Sequence, residues 1–294
     1  MVTYQTKSWW KILLRWRGSV LPGVIGRVLL AGALGTLAAW LNQERGVAMP
    51  ALAHGLVGVA LGLLLVFRTN ASYDRFWEGR RMLGNLVNRT RDFARQVTTL
   101  IDGDGDDVRA ARERLVRRLN LLYALIRQYL RKERDLAALG ALATAEERAA
   151  LEPVAVRPTV AFTWMSAELV ALARAGHLSE QRLMLLDANL TNFADAWGGA
   201  ERIMKTPIPF AYAHHIKAFL MLFVFTAPFA MAASMHWETP AAAAVLAYGL
   251  FGIDEIAVEI EDPFGYDDND LPLDAVGEVI AKDSADIARS SLLR

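Results

Sequence analysis

The sequence predicts an all-α membrane protein with four transmembrane helices and a large helical cytoplasmic region. Three observations support this fold class. Hydrophobic residues make up 54% of the 294 residues. Four apolar blocks interrupt the polar sequence, and the first two reach the roughly 20 residues that a helix needs to cross a bilayer. Alternating strand patterns are rare, whereas Ala, Leu and Arg, which favour helices, are abundant.

Composition excludes several other classes. The 32 Lys and Arg residues balance 32 Asp and Glu residues, so the net charge gives no support to a nucleic-acid binder and we expect no nucleic-acid partner. The chain has no cysteine, which excludes a disulfide-stapled module. Its apolar content also excludes an intrinsically disordered chain.

Residues 1–19 predict a cytoplasmic or interfacial N-terminal segment. Trp9, Trp10 and Trp16 lie among basic residues, a mixture typical of segments at the cytoplasmic membrane surface. The apolar run that follows is longer than the roughly 7–15 residues of a signal-peptide core, so we expect it to remain as a helix.

Residues 20–67 predict the first transmembrane hairpin. Its apolar blocks, 20–41 and 47–67, are joined by a short polar connection, and the second block has no charged residue. Each block is long enough for one crossing.

Residues 216–257 predict a second hairpin, with apolar blocks at 218–235 and 239–253. The last block is short and would also fit a buried helix, but its position directly after a spanning block favours a hairpin. Four crossings return the chain to its starting side, so we expect both termini in the cytoplasm.

Between the hairpins, residues 68–215 predict a cytoplasmic helical region. The acidic stretch 102–107 lacks the twelfth-position ligand of an EF-hand and is interpreted as a solvated connection between helices. Pro207 and Pro209 cannot lie inside a regular helix and mark the return into the membrane. Apolar residues recur at helical spacing in this region, at Leu115, Leu119, Leu122, Ile126 and Leu130.

The charges are segregated along the chain, and residues 258–294 form an acidic C-terminal segment. Residues 68–134 contain 16 Lys and Arg against 9 Asp and Glu, whereas residues 252–294 contain 12 acidic residues against 3 basic ones. Two interpretations stay open. In the first, the two segments pair with each other or face solvent; in the second, each segment attracts ions of the opposite charge.

Three motifs carry a family resemblance: FRTNASYDRFWE at 67–78, TPIPFAY at 206–212 and IEDPFGYDDNDLPLD at 260–274. With these motifs in this order, the chain resembles the bacterial branch of the bestrophin ion channels over nearly its whole length. The resemblance implies a homopentamer, so that each subunit has four identical partners besides membrane lipid and permeant monovalent ions. It implies a single pore on the five-fold axis, lined by the second apolar helix. Animal members pass chloride and other anions, whereas bacterial members can prefer sodium or potassium. The bacterial inner membrane is the expected location.

The resemblance places the hydrophobic neck of the pore on Val59, Leu63 and Phe67. Their spacing of four residues puts them on one helix face, although such a stripe would otherwise be read as ordinary core. Arg68 and Arg75 would lie near the cytoplasmic mouth, with the alternative that Arg68 only snorkels to the headgroups.

A second, cytoplasmic constriction is expected near Gln181, where a polar residue departs from the aliphatic one that is common in the family. Asp262, Asp267 and Asp270 match positions that hold calcium in animal bestrophins. Tyr266 and Asn269 stand where those channels have further acids, so we expect no required cofactor.

These three aspartates have two interpretations. A calcium or another divalent cation at Asp262, Asp267 and Asp270 is one interpretation, since calcium prefers several oxygen ligands. The other is that these carboxylates cap helices or meet the basic N-terminal segment.

Two other function classes are alternatives to the channel. An intramembrane metal-dependent enzyme would use His214 and His215 with nearby acids such as Asp254, Glu255 and Glu259. However, adjacent helical histidines point about 100° apart, and zinc, nucleophile and phosphate-loop motifs are absent. A non-conducting membrane scaffold is the other alternative, and it gives no reason for three apolar residues at four-residue spacing.

Overall fold

The computed structural model describes residues 8–291, and these residues form an all-α fold. Ten α-helices and two 3-10 turns make up the described part, which contains no β-strand. The α-helices are α1 (Trp9–Leu13), α2 (Leu21–Arg45), α3 (Ala51–Leu100), α4 (Asp106–Leu130), α5 (Ala145–Leu151), α6 (Arg157–Arg174), α7 (Glu180–Lys205), α8 (Phe210–Met235), α9 (Thr239–Glu261) and α10 (Leu273–Ser291), and the 3-10 turns are Ala137–Leu142 and His236–Glu238.

The chain divides into two compact units. The first comprises the described residues up to Trp77 together with Thr206–Asp270, and the second comprises Glu78–Lys205 together with the described residues from Leu271 onward. The expected boundary between residues 67 and 68 lies inside the unbroken helix α3. The acidic segment 258–294 is shared between the two units.

The first unit contains the apolar helices. In it α2 packs against α8 and α9, which also pack against each other. Two glycines permit close helix contacts: a Cβ on Gly35 would lie 2.7 Å from Cα of Pro240, and a Cβ on Gly58 would lie 2.9 Å from Cζ of Phe223. Its core consists of Val24, Ala31, Leu61, Leu65, Ile216, Leu220, Phe223, Val224, Ala247 and Phe251.

Three helical stretches are long and apolar enough to cross a membrane: Leu21–Arg45, Ala51–Leu100 and Phe210–Glu261. The third contains both α8 and α9, and its turn at His236–Glu238 begins with a residue in the left-handed region, at φ 45°. Pro209 stands at the N-cap of α8, so the predicted helix start after the two prolines is confirmed.

The second unit is built around α4, which packs against α6, α7 and α10. The apolar face predicted for this helix is confirmed, since its five residues are buried. The acidic connection is shorter than expected, because α4 begins at Asp106 and takes two of the acidic residues into its first turn. Carboxylates there interact favourably with the positive end of the helix dipole.

Candidate functional site

One face of α3 is apolar and exposed. Val59 is 74% exposed, and Leu63 and Phe67 are each 57% exposed. Leu52 and Leu56 are also exposed and extend the same row toward the helix start at spacings of three and four residues. We call these five residues the α3 stripe. Sequence reasoning found Val59, Leu63 and Phe67 and missed Leu52 and Leu56, although the same helical spacing includes them.

The opposite face of α3 packs into the first unit. Leu61 and Leu65 are 0% and 2% exposed, and each lies about 200° around the helix from a stripe residue two positions away. The α3 stripe is therefore not the seam that holds this helix to its own chain. A row of large exposed apolar side chains requires lipid or another protein surface to cover it.

Arg68 occupies the buried face and not the exposed one. Its Nε lies 3.2 Å from Oδ1 of Asp254, with side-chain exposures of 1% and 2%, and its Nη2 lies 3.7 Å from Oε2 of Glu261. Lys217 adds a second cation, with Nζ 3.1 Å from Oδ2 of Asp254. Arg68 thus forms ion pairs inside the bundle, and an action of its charge at a pore mouth stays a prediction.

Sequence reasoning missed these ion-pair partners. The spacing of Leu61, Leu65 and Arg68 already places Arg68 on the buried face of α3. Because an arginine is almost never fully buried without a partner, that placement alone calls for carboxylates on the neighbouring helices.

Arg75 lies about two turns further along α3 and binds main-chain oxygens of the same unit. Its Nε donates to the Glu261 carbonyl at 2.9 Å, and its Nη1 donates to the Thr206 carbonyl at 2.5 Å. Glu261 also accepts a hydrogen bond from the Ile208 backbone N–H at 3.1 Å. These contacts connect α3 to the segment that precedes α8 and to the end of α9.

Gln181 lies in the first turn of α7 and is exposed. Met184 and Leu185, one turn further along, are large exposed apolar residues. They supply the aliphatic character that Gln181 itself lacks on that part of the helix. The position of a cytoplasmic aperture at Gln181 stays a prediction.

The acidic loop after α9 is organised around Asp270. This residue is buried, and its Oδ2 accepts a hydrogen bond from the Asp267 backbone N–H at 2.8 Å. Its Oδ1 has no hydrogen-bond partner among the described residues. Burial first, and then the charges of Asp267, Asp262 and Glu259, raise the pKa of Asp270 to about 7.

The same loop contacts the N-terminal segment. Arg17 Nε donates to both carboxylate oxygens of Asp268 at 3.1 and 3.2 Å. Asn269 donates to the Gly18 carbonyl at 3.2 Å and to Glu259 Oε2 at 2.7 Å. The carboxylate that meets the basic N-terminal segment is thus that of Asp268, and the same contact for Asp262, Asp267 or Asp270 stays a prediction.

The three candidate aspartates of the acidic loop differ in exposure. Asp262 and Asp267 are exposed, whereas Asp270 is turned inward. Within residues 8–291, no group of three or more His, Asp or Glu side chains is placed to hold a metal ion. Binding of calcium or another divalent cation by this loop stays a prediction.

The two histidines considered for an enzyme contact aromatic rings. The His214 ring lies 5.6 Å from the Phe210 ring, and the His215 ring stacks on Phe219 at 6.0 Å. Asp254, their proposed acidic partner, is engaged by Arg68 and Lys217 instead. Nothing in this arrangement resembles a hydrolytic metal centre.

Long apolar helices with exposed apolar faces define the class: an integral membrane protein. The chain matches the family of bacterial and fungal bestrophin proteins over residues 1–286.

Individual relatives agree. A voltage-dependent anion channel-forming protein of Nostoc sp. is 36% identical over 294 residues, which cover 99% of this chain and 95% of that protein. The protein of the same name from Escherichia coli K12 is 32% identical, over 96% of this chain and 92% of that protein. The crystal structure of a bacterial bestrophin homologue from Klebsiella pneumoniae matches with a TM-score of 0.85 and 29% identity, over 90% of this chain and 98% of that one.

The chain belongs to the bestrophin family. Membership identifies it as a membrane channel protein and not as an enzyme, so the metal-dependent hydrolase is excluded. The resemblance stated from the three sequence motifs is confirmed.

Proposed function

We propose that this protein is a homopentameric channel for small monovalent ions, with one pore on the five-fold axis lined by α3. The observation that carries the proposal is the α3 stripe, which is apolar, exposed and opposite to the face that packs into its own chain. Five such rows around an axis would form stacked apolar rings. Rings of this kind can control ion flow by dewetting. Val59, Leu63 and Phe67 would form the narrow neck.

Four crossings per subunit follow from α2, the apolar half of α3, α8 and α9. The packing of α8 against α9 across a three-residue turn supports a second hairpin. Trp9, Trp10 and Trp16 are exposed and lie among basic residues, which supports a cytoplasmic N-terminal side in a bacterial inner membrane. An even number of crossings then leaves the C-terminus on the same side.

Anions are the first choice of permeant ion, because the relatives from Nostoc sp. and Escherichia coli carry the name of anion channel-forming proteins. Sodium or potassium is the second choice. The neck residues are uncharged, so selectivity would depend on which ion tolerates partial loss of its hydration shell and on charges placed further along the pore.

The deciding experiment measures the reversal potential of the purified protein in a planar bilayer under a KCl gradient, repeated with NaCl. A reversal near the chloride equilibrium potential supports anion conduction. A reversal near the cation equilibrium potential assigns the protein to the cation-preferring alternative. Absence of current from assembled pentamers contradicts the channel and favours the non-conducting scaffold.

The neck has its own test. Replacing Val59, Leu63 and Phe67 together by Ala should raise the single-channel conductance, because shorter side chains widen and wet the constriction. The matched control replaces Leu29 and Leu37, exposed apolar residues of α2, by Ala. Unchanged conductance in an assembled triple variant would remove these three residues from the gate.

For the acidic loop we propose a structural role and no required cofactor. Support comes from Asp268, which pairs with Arg17, and from Asn269, which holds Gly18 and Glu259. The test compares currents with calcium and with a chelator present. Equal currents fit the proposal, whereas a calcium-dependent current that is lost in Asp270→Asn would assign a cation to this loop.

A further inference from the structure

We propose that Arg68 is a positioning residue, whose buried ion pairs fix the rotation of α3 and so the direction in which the α3 stripe projects. The consequence for ion flow rests on the channel function proposed above. The rotational role itself depends only on contacts within the first unit. Arg68 would then act through Phe67 and the residues above it, and not as a free charge at the pore mouth.

Arg68 places a charge in an otherwise uncharged buried seam of α3. Leu61, Leu65, Arg68 and Ser72 follow one another at spacings of four, three and four residues, and all four are buried. An apolar residue at position 68 would complete the seam at no electrostatic cost. A fully buried arginine is rare unless it is paired, so its presence requires a specific arrangement of partners.

The partners come from two other helices. Asp254 and Glu261, seven residues apart and therefore on one face of α9, supply two carboxylates. Lys217 of α8 supplies a second cation to Asp254. Two positive and two negative side chains thus meet where α3, α8 and α9 come together.

This network favours a single rotation of α3. Apolar seams tolerate small rotations, because one apolar contact replaces another. Turning α3 by one residue would carry the guanidinium of Arg68 away from Asp254, a carboxylate that is only 2% exposed. Removing one member of a buried ion pair is strongly unfavourable, because the remaining charge stays buried without compensation.

The rotation of Arg68 determines that of Phe67. Adjacent residues of a helix point about 100° apart, so Phe67 must project away from the network when Arg68 points toward α9. Val59 and Leu63 lie on the same side as Phe67. The contact between Arg68 and Asp254 is an ion pair. Nε of Arg68 lies 3.2 Å from Oδ1 of Asp254, and neither atom makes a hydrogen bond within the described residues.

The absence of cysteine from the sequence makes a clean measurement available, because any introduced thiol is unique. Leu65→Cys places a thiol on the buried face and Phe67→Cys places one on the exposed face. The rate of alkylation by N-ethylmaleimide is measured for each in purified, assembled protein by mass spectrometry. We expect the thiol at position 67 to react much faster than the thiol at position 65.

The ratio of the two rates is then measured with Arg68→Met added, which removes the charge and keeps a long side chain. We expect the ratio to fall about tenfold, equivalent to about 1.4 kcal/mol of rotational preference. Asp254→Asn should act in the same direction, and Arg68→Lys should restore part of the ratio. Arg81→Met, at an exposed position of the same helix, is the matched control and should leave the ratio unchanged.

A ratio within twofold of the original in assembled Arg68→Met or Asp254→Asn protein overturns the proposal. Aggregation of all three network variants also overturns it, since the network would then be required for folding in general. Alkylation needs no ion current, so the two proposals fail separately. If the unmodified protein is silent in bilayers while Arg68→Met changes the ratio, the channel function is wrong and the positioning role stands.

Discussion

Replacing Glu147 by Gln is expected to destabilise the second unit, because this buried carboxylate joins α4 to α5. Arg117 donates two hydrogen bonds to it, at 2.6 and 2.9 Å, and Arg118 donates one at 3.0 Å. Glu147 also forms a capping box with Thr144 at the start of α5. Glutamine keeps the shape of the side chain but leaves two arginines without their shared negative charge.

The size of the effect follows from the pKa of Glu147. Burial acts to raise it, but the hydrogen bonds from Arg117, from the Thr144 backbone and from Arg118 outweigh burial and lower the pKa from 4.5 to about 2. A shift of this size corresponds to ~3 kcal/mol, which solvent around the arginines reduces to ~2 kcal/mol. Since the folded state has the lower pKa, this stabilisation is fully present above pH 4.5 and is lost as the pH falls toward 2.

The assay is thermal unfolding of the purified protein at pH 7.5 and at pH 3. About 2 kcal/mol should lower the melting temperature of Glu147→Gln by roughly 4–8 °C at pH 7.5, with a smaller difference at pH 3. The matched control is Glu146→Gln, an exposed residue in the same helical turn. If Glu147→Gln melts like this control at pH 7.5, the reasoning from its hydrogen bonds is wrong.

Three further outcomes are expected in the same melting assay. Gly58→Ala should destabilise the first unit by ~1–3 kcal/mol, because the new Cβ would lie 2.9 Å from the Phe223 ring, whereas Gly62→Ala, which has open space, should not. Tyr123→Phe should cost ~1–2 kcal/mol, because it removes the buried hydrogen bond to the Leu273 carbonyl at 2.7 Å. Asp270→Asn should stabilise the protein at pH 8 and not at pH 4. The pKa of Asp270 is about 7 in the folded state and near 3.8 in the unfolded chain, so the free energy of unfolding falls as the pH rises between these values. Equal effects of the substitution at both pH values would contradict this.

Much of the fold could be predicted from local pattern. Apolar length and helical spacing located the membrane helices and the buried face of α4, and the proline pair located the start of α8. The continuation of α3 to Leu100 could not be predicted from hydropathy. Polarity changes sharply after Phe67, but a helix needs no change in backbone conformation where it passes from an apolar to a polar environment.

Only part of the candidate site could be predicted from the sequence. Spacing and resemblance placed Val59, Leu63 and Phe67 on one face, and the structure shows that face exposed. A position of Arg68 near the cytoplasmic mouth, or at the headgroups, stays a prediction, but its side chain points about 100° away from that of Phe67 and pairs with Asp254. Its partner Asp254 lies far away in the sequence, and spacing along one helix carries no information about which other helix supplies a carboxylate.

The segregation of charge along the sequence does not imply a basic surface that selects anions. Within the second unit, α10 supplies partners to the basic region, since Asp274 pairs with Arg127 and Arg131, and Asp283 pairs with Arg91. Paired arginines present little net field to a passing ion. Counting arginines therefore overstates the attraction for chloride, and in the proposed channel the sign of selectivity would depend on dehydration at the neck and on charges further along the pore.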